Sequence, residues 1–177
     1  MQITRHAPEH VPAFQALHAT AGWCFCVAWW VESWEGWGKR TAEENRDLRA
    51  ALTSTGIFDG YLAFDDGRPV GWCQALPRDQ LLKIRRHFAL DADPATWAIG
   101  CFYIHPAHRR RGIARALLEH VLADLPGRGA GRVEAYPKRL ATPAAGDLWN
   151  GPESLFRAAG FTLVKDDPVR PVLAKTL

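Results

Sequence analysis

Apolar residues along this chain keep two periods, and each change of period marks a new element. Val11, Phe14, Leu17 and His18 fall near one face of a helix over residues 9–19. Residues 41–54 read as a second helix, with Thr41 and Glu44 spaced as a capping box and Gly56 as the stop. A third stripe, Leu117, Leu118, Val121, Leu122 and Leu125, makes residues 112–125 a helix with one buried face. Shorter helices are expected at 80–88 and at 153–159, the latter stopped by Gly160. Strand patterns occupy 60–65 and 69–76, and Asp66-Gly67 between them signals a hairpin. Residues 96–104 are apolar on both faces, which marks a central strand. Segments 2–6, 132–136, 161–165 and 172–176 complete a mixed α/β chain, the last two as an antiparallel pair. No repeat and no linker divides it, so a single domain over residues 1–177 is expected.

Composition narrows the class. A chain of 177 residues can bury a full core, and a hydrophobic fraction of 47% excludes disorder. No apolar run reaches the length of a membrane span, and Met1 to His6 lacks the apolar core of a signal peptide. A cytoplasmic protein without membrane partners is expected. Cys24, Cys26, Cys73 and Cys101 are too sparse for a disulfide framework. Cys24 and Cys26 have no second pair to complete a zinc site, so no metal is expected. The net charge of +3 suits a small anionic ligand. It makes no case for nucleic acid, because Asp65, Asp66, Asp91 and Asp93 interrupt the basic groups at 83–86 and 109–111. No P-loop occurs, nor a dinucleotide-binding glycine pattern after an early strand.

The densest chemistry lies between Ile99 and Leu125. An apolar strand stops at His105-Pro106, Arg109, Arg110, Arg111 and Gly112 follow, and an amphipathic helix begins at once. A helix N-terminus carries unpaired N–H groups and partial positive charge, so it binds anions. The arginines add donors, and Gly112 lets an anion approach the backbone. This is a site for a phosphate or diphosphate.

Arg109-Arg110-Arg111-Gly112-Ile113-Ala114 resembles the Arg/Gln-x-x-Gly-x-Gly/Ala signature of the GNAT N-acetyltransferase superfamily. Leu155 to Phe161 resembles that family's L-Y-x-x-x-G-F element, and the order of elements is similar. The resemblance implies the GNAT fold, a central, largely antiparallel twisted sheet flanked by helices. It implies an enzyme that moves an acetyl group from acetyl-CoA to a primary amine by direct transfer. Residues 109–114, meaning Arg109, Arg110, Arg111, Gly112, Ile113 and Ala114, would cradle the pyrophosphate. Phe102, Tyr103 and Ile104 would meet the pantetheine and acetyl group. Asn150 and Ser154 lie where the family often contacts CoA, and Asn150 is equally a helix cap. Gly100 marks either a bulge in the strand or close packing beneath a tryptophan. Dimers are common in the family, and a homodimer is compatible with the surplus of tryptophans.

Two positions depart from the family pattern. Phe156 stands where many members carry a tyrosine acid, and Ala98 where some carry a glutamate base. A catalytically silent acyl-CoA-binding protein is therefore the rival reading. Among substitutes, Glu134 and Tyr136 sit two apart on one strand and share a face. Facing the cleft they would serve as base and acid; facing inward they are structural. Five of the eight tryptophans lie between residues 23 and 37, in the region that lines the family's acceptor site. Trp23, Cys24, Trp29 and Trp30 are the expected acceptor contacts, by stacking or cation–π attraction. A lid or a dimer contact would explain the same patch. The acceptor itself, a small-molecule or peptide amine, is not legible.

Overall fold

Asp66 and Gly67 both take positive φ and reverse the chain between strands β2 (Gly60–Asp65) and β3 (Arg68–Pro77). That is the conformation a tight hairpin turn requires. In the computed structural model, which describes residues 1–142 and 145–177, this hairpin is the start of a seven-stranded sheet. The other strands are β1 (Gln2–Arg5), β4 (Thr96–Ile104), β5 (Arg132–Ala135), β6 (Thr162–Lys165) and β7 (Val172–Thr176). Their order is β1-β2-β3-β4-β5-β7-β6, and only the β4–β5 pair is parallel. The parallel step is the one that needs a crossover helix.

That crossover is α4 (Ile113–Asp124). Its stripe of Ile113, Leu117, Leu118 and Val121 packs with Tyr61, Cys73, Ile99 and Val133 on one sheet face. Helix α5 (Glu153–Ala158) joins that face through Phe156. The opposite face carries α1 (Val11–Ala19), which packs Phe14 and Leu17 on Leu62 and Trp72. It also carries α3 (Leu82–Phe88), which packs Ile84 and Phe88 against Trp29 and Tyr136. Helix α2 (Ala42–Ser54) starts with the expected capping box between Thr41 and Glu44. The first helix starts at Val11, later than its periodicity predicts, because Pro8–His10 forms a separate single turn.

Two departures from regularity shape the centre of the sheet. Gln74 pairs with Cys101 but Ala75 pairs with Ile99, so Gly100 is the extra residue of a bulge. A Cβ on Gly100 would also stand 2.5 Å from Gln74 Oε1 and 3.1 Å from Trp29, so both readings of this glycine hold. The second departure is the parting of β4 and β5. Their ladder ends at Ile99 and Ala135, while β4 runs on to Ile104. The edge of β4 beyond that point opens into a cleft.

Candidate functional site

The cleft has a volume of about 770 Å³ and follows β4 from the bulge to the basic turn. At one end, Arg109 Nε donates to the Ile104 carbonyl at 3.1 Å, and Arg109, Arg110 and Ala114 line the wall. Gly112 stands at φ +79° immediately before α4, and nothing lies within 4 Å of where its Cβ would be. The N–H groups of α4 ahead of Ala116 have no backbone partner, and the helix dipole lies behind them. Arg111 turns aside to His108 at 3.1 Å and Asp65 at 3.8 Å, and Ile113 is buried in the core. The turn therefore offers Arg109, Arg110 and backbone donors to an anion; Arg111, Gly112 and Ile113 lie outside the cleft wall.

Phe102, Tyr103 and Ile104 all line the cleft. The N–H of Phe102 is already engaged, donating to the Trp149 carbonyl at 2.6 Å. Asn150 ties the same segment down by donating from Nδ2 to the Gly100 carbonyl at 2.8 Å. Its own Oδ1 accepts from Arg170. Asn150 is thus neither a helix cap nor a wall of the cleft; Pro152 occupies the N-cap of α5. Ser154 is exposed and lies outside the cleft lining. The reason is local: α5 begins after Gly151-Pro152, and its buried side is spent on Phe156.

At the other end stand Trp23 and Trp37, with ring centroids 4.7 Å apart and planes at 66°. Cys24, Cys26, Cys101, His18 and Trp149 complete this aromatic wall. Burial pushes the Cys24 thiol up to about 11, so it is not a ready nucleophile. Phe25 and Cys26 both take positive φ, and the buried Arg49 donates to both of their carbonyls. Arg49 is held in turn by Asp59 at 2.7 Å. This clamp turns the chain so that Trp29 and Trp30 leave the cleft. Trp29 is buried and donates to the Gly100 carbonyl at 3.0 Å, and Trp30 donates to Asp59 Oδ2 at 3.2 Å. Of the four expected acceptor contacts, the structure brings Trp23 and Cys24 to the cleft and uses Trp29 and Trp30 as scaffold.

Glu134 and Tyr136 share a face, but it is the face beneath α3. Glu134 Oε2 accepts from Arg78 at 3.0 Å and from the Tyr136 hydroxyl at 2.9 Å, and Oε1 accepts from Arg132 at 3.3 Å. Tyr136 stacks on Phe88 at 5.0 Å, and burial with the adjacent carboxylate holds its hydroxyl well above the usual phenol range. Neither residue lines the cleft, so the expected base and acid are a buried charge network. Alternation along a strand told that they face one way, but not which way.

His18, Thr20 and Trp149 carry no sequence signal for the site, and Trp37 carries one only as a member of the tryptophan cluster at 23–37. His18 appeared only as part of the apolar stripe of α1. Its Nδ1 lies 3.0 Å from the Phe14 carbonyl, and burial pulls its pKa down to about 3. The contact with a carbonyl puts the proton on Nδ1 and leaves Nε2 a neutral acceptor. Nε2 has no hydrogen-bond partner among the described residues. Thr20 Oγ1 donates to the Leu17 carbonyl at 2.6 Å, so the Tyr103 hydroxyl, 2.8 Å away, must be the donor to Thr20.

A model of the acetyltransferase (GNAT) family matches residues 23–146. No curated protein matches the sequence. Solved structures of similar shape include a PaiA N-acetyltransferase from Thermoplasma acidophilum in complex with coenzyme A, with a TM-score of 0.60 and 14% identity over 99% of this chain and 98% of that one. A ribosomal-protein-alanine N-acetyltransferase from Brucella melitensis gives a TM-score of 0.62 and 16% identity, covering 100% of both chains. An aminoglycoside 6'-N-acetyltransferase from Enterococcus faecium gives 0.61 and 14%, covering 99% of this chain and 97% of that one. At these identities the likeness is one of fold.

Proposed function

We propose that this chain, which belongs to the acetyltransferase (GNAT) family, transfers the acetyl group of acetyl-CoA directly to a primary amine. The observation that carries the reading is the cleft. It joins an anion site at the start of α4, through the open edge of β4, to an aromatic wall. The residues present fit the cosubstrate at two places. Arg109, Arg110 and the unpaired N–H groups before Ala116 suit a diphosphate, and the parting of β4 from β5 leaves room for a long polar arm. Acetyl-CoA supplies an activated acetyl group with a thiolate as leaving group.

The protein's own contribution is positional. Trp23 and Trp37 hold the acceptor, and Phe102 N–H, on the strand that lines the cleft, is the donor we assign to the acyl oxygen. For that role the bond from Phe102 N–H to Trp149 must open. With Glu134 and Tyr136 committed elsewhere, proton removal falls to water or to the neutral side chains of the cleft. The acceptor is a primary amine on a small molecule or a peptide. The four free cysteines support a reducing, cytoplasmic setting, and one continuous sheet supports a single domain over residues 1–177.

Two observations favour a second reading. The engaged Phe102 N–H and the absence of a carboxylate among the described lining residues suit a silent acyl-CoA-binding protein. Thiol release from acetyl-CoA with a panel of amines decides. Turnover above the no-amine rate establishes the transferase, and tight binding without turnover establishes the silent binder.

A further inference from the structure

Helix α3 buries a lysine beside its apolar residues. Lys83 is only 4% exposed, and no carboxylate faces it among the described residues. An ammonium group taken out of water costs free energy unless it is paired, whereas an apolar side chain of similar length would cost none. The partners that Lys83 does have all belong to the tryptophan-rich loop. Its Nζ donates to the Ala28 carbonyl at 2.7 Å. The same atom stands 3.3 Å from the Trp34 ring centroid and 5.6 Å from that of Trp37. One charged atom thus ties the start and the end of this loop to α3.

Two of the three tied residues, Ala28 and Trp37, are walls of the cleft. Trp37 in turn meets Trp23 with the ring centroids 4.7 Å apart. The third, Trp34, touches Trp29 at 5.2 Å and Trp149 at 6.4 Å. The Arg49–Asp59 clamp fixes the loop only at the Phe25 and Cys26 carbonyls. Lys83 holds the part beyond it.

We infer that Lys83 is a positioning residue for the acceptor wall, whose ammonium group clips the loop at Ala28, Trp34 and Trp37 and so sets where Trp37 and Trp23 stand. This rests on the role proposed above for those two rings and adds the group that places them. The clip needs the positive charge, because a neutral amine offers the ring faces no cation. Burial pulls the Lys83 pKa down from 10.5 to about 8, so the clip is closed at pH 7 and opens as pH rises through 8. Its titratable neighbours are silent there. The Cys24 thiol in the loop titrates at about 11, and His87 on the same helix titrates below 6.5. Arg170, ahead of β7, stays charged.

The variants Lys83→Met and Lys83→Arg test the clip, read by near-ultraviolet circular dichroism of the tryptophans. In the unmodified protein the signal should fall with a midpoint near pH 8. Lys83→Arg keeps its charge and should hold the pH 7 signal flat to about pH 9.5. Lys83→Met should show the reduced signal at every pH, with the acetyl-CoA thermal shift intact. Its thermal midpoint should be equal or higher, since a costly buried charge is gone. For the amine turned over fastest in the panel above, Lys83→Met should raise KM about fivefold with kcat kept, and Lys83→Arg should restore KM. A signal that stays flat through pH 8 in the unmodified protein overturns the inference, as does an unchanged signal or an unchanged KM in Lys83→Met. A lower thermal midpoint with KM unchanged makes Lys83 a purely structural residue and also overturns it. If the unmodified protein turns over no amine, the transferase reading fails, and the circular dichroism still decides for or against the clip.

Discussion

The two ends of the cleft are built in opposite ways. The anion end is continuous in sequence: β4, the basic turn and the first residues of α4 fall within one short stretch. The aromatic end gathers His18, Trp23, Trp37, Tyr103 and Trp149 from four separate segments. Its geometry depends on a buried clamp, Arg49 with Asp59, that fixes two left-handed residues in the tryptophan-rich loop. A site written in one segment is set by local rules of strand, turn and helix start. A site assembled from distant segments is set by packing, and can change its ligand without disturbing the other end.

The comparison is sharpened most by a change at the local end. Gly112→Asp forces a side chain into a left-handed position and puts a carboxylate where the diphosphate would sit. It should reduce acetyl-CoA affinity by roughly a hundredfold or more, measured by calorimetry. Unchanged affinity would remove this turn from the binding site.

Next in size is Glu134→Gln, which leaves Arg78 buried without its carboxylate. A loss of about 3 kcal/mol in denaturant unfolding is expected, with turnover at saturating substrate unchanged. A large fall in turnover with stability intact would return Glu134 to catalysis.

The acceptor end should also report pH. Burial lowers the pKa of His18 from 6.5 to about 3, so below 6.5 the unfolded chain binds a proton that the folded chain refuses. Stability from this residue is full above pH 6.5 and is lost as pH falls toward 3. At pH 5 the cost is about 2 kcal/mol. His18→Gln should shrink the stability loss between pH 7 and pH 5 by that amount; an unchanged loss would mean His18 is not held neutral.

The smallest effect separates tryptophans of the wall from tryptophans of the scaffold. Trp37→Ala should raise the acceptor KM roughly fivefold, from about 1 kcal/mol of lost ring contact. Trp30→Phe should lower stability slightly and leave KM alone, because its indole serves Asp59. Equal KM effects would erase the distinction.

These contrasts also explain what the sequence disclosed. The helix stripes, the capping box at Thr41, the Asp66-Gly67 turn and the bulge glycine are local signals, and each has its counterpart in the structure. The same is true of Arg109, Arg110 and Ala114 in the cleft wall. For Glu134 and Tyr136 the inward of the two readings holds, a choice that strand alternation leaves open because it gives a shared face and no address. Only the parallel pairing with β4 and the position of α3 decide that Arg78 and Phe88 cover them. Trp29 and Trp30 were misread because Phe25 and Cys26 break any regular period in their loop. His18 was missed because its spacing on α1 is that of a core residue, which by burial it is.

The most direct test of the whole account is the thermal midpoint of the protein with and without acetyl-CoA. At about 100 times the dissociation constant a ligand adds roughly 2.7 kcal/mol, which for a chain of this size raises the midpoint by roughly 5–10 °C. The account predicts that rise with acetyl-CoA, its loss in Gly112→Asp, and no rise with ATP or NADH. No rise at millimolar acetyl-CoA would contradict the assignment of the cleft.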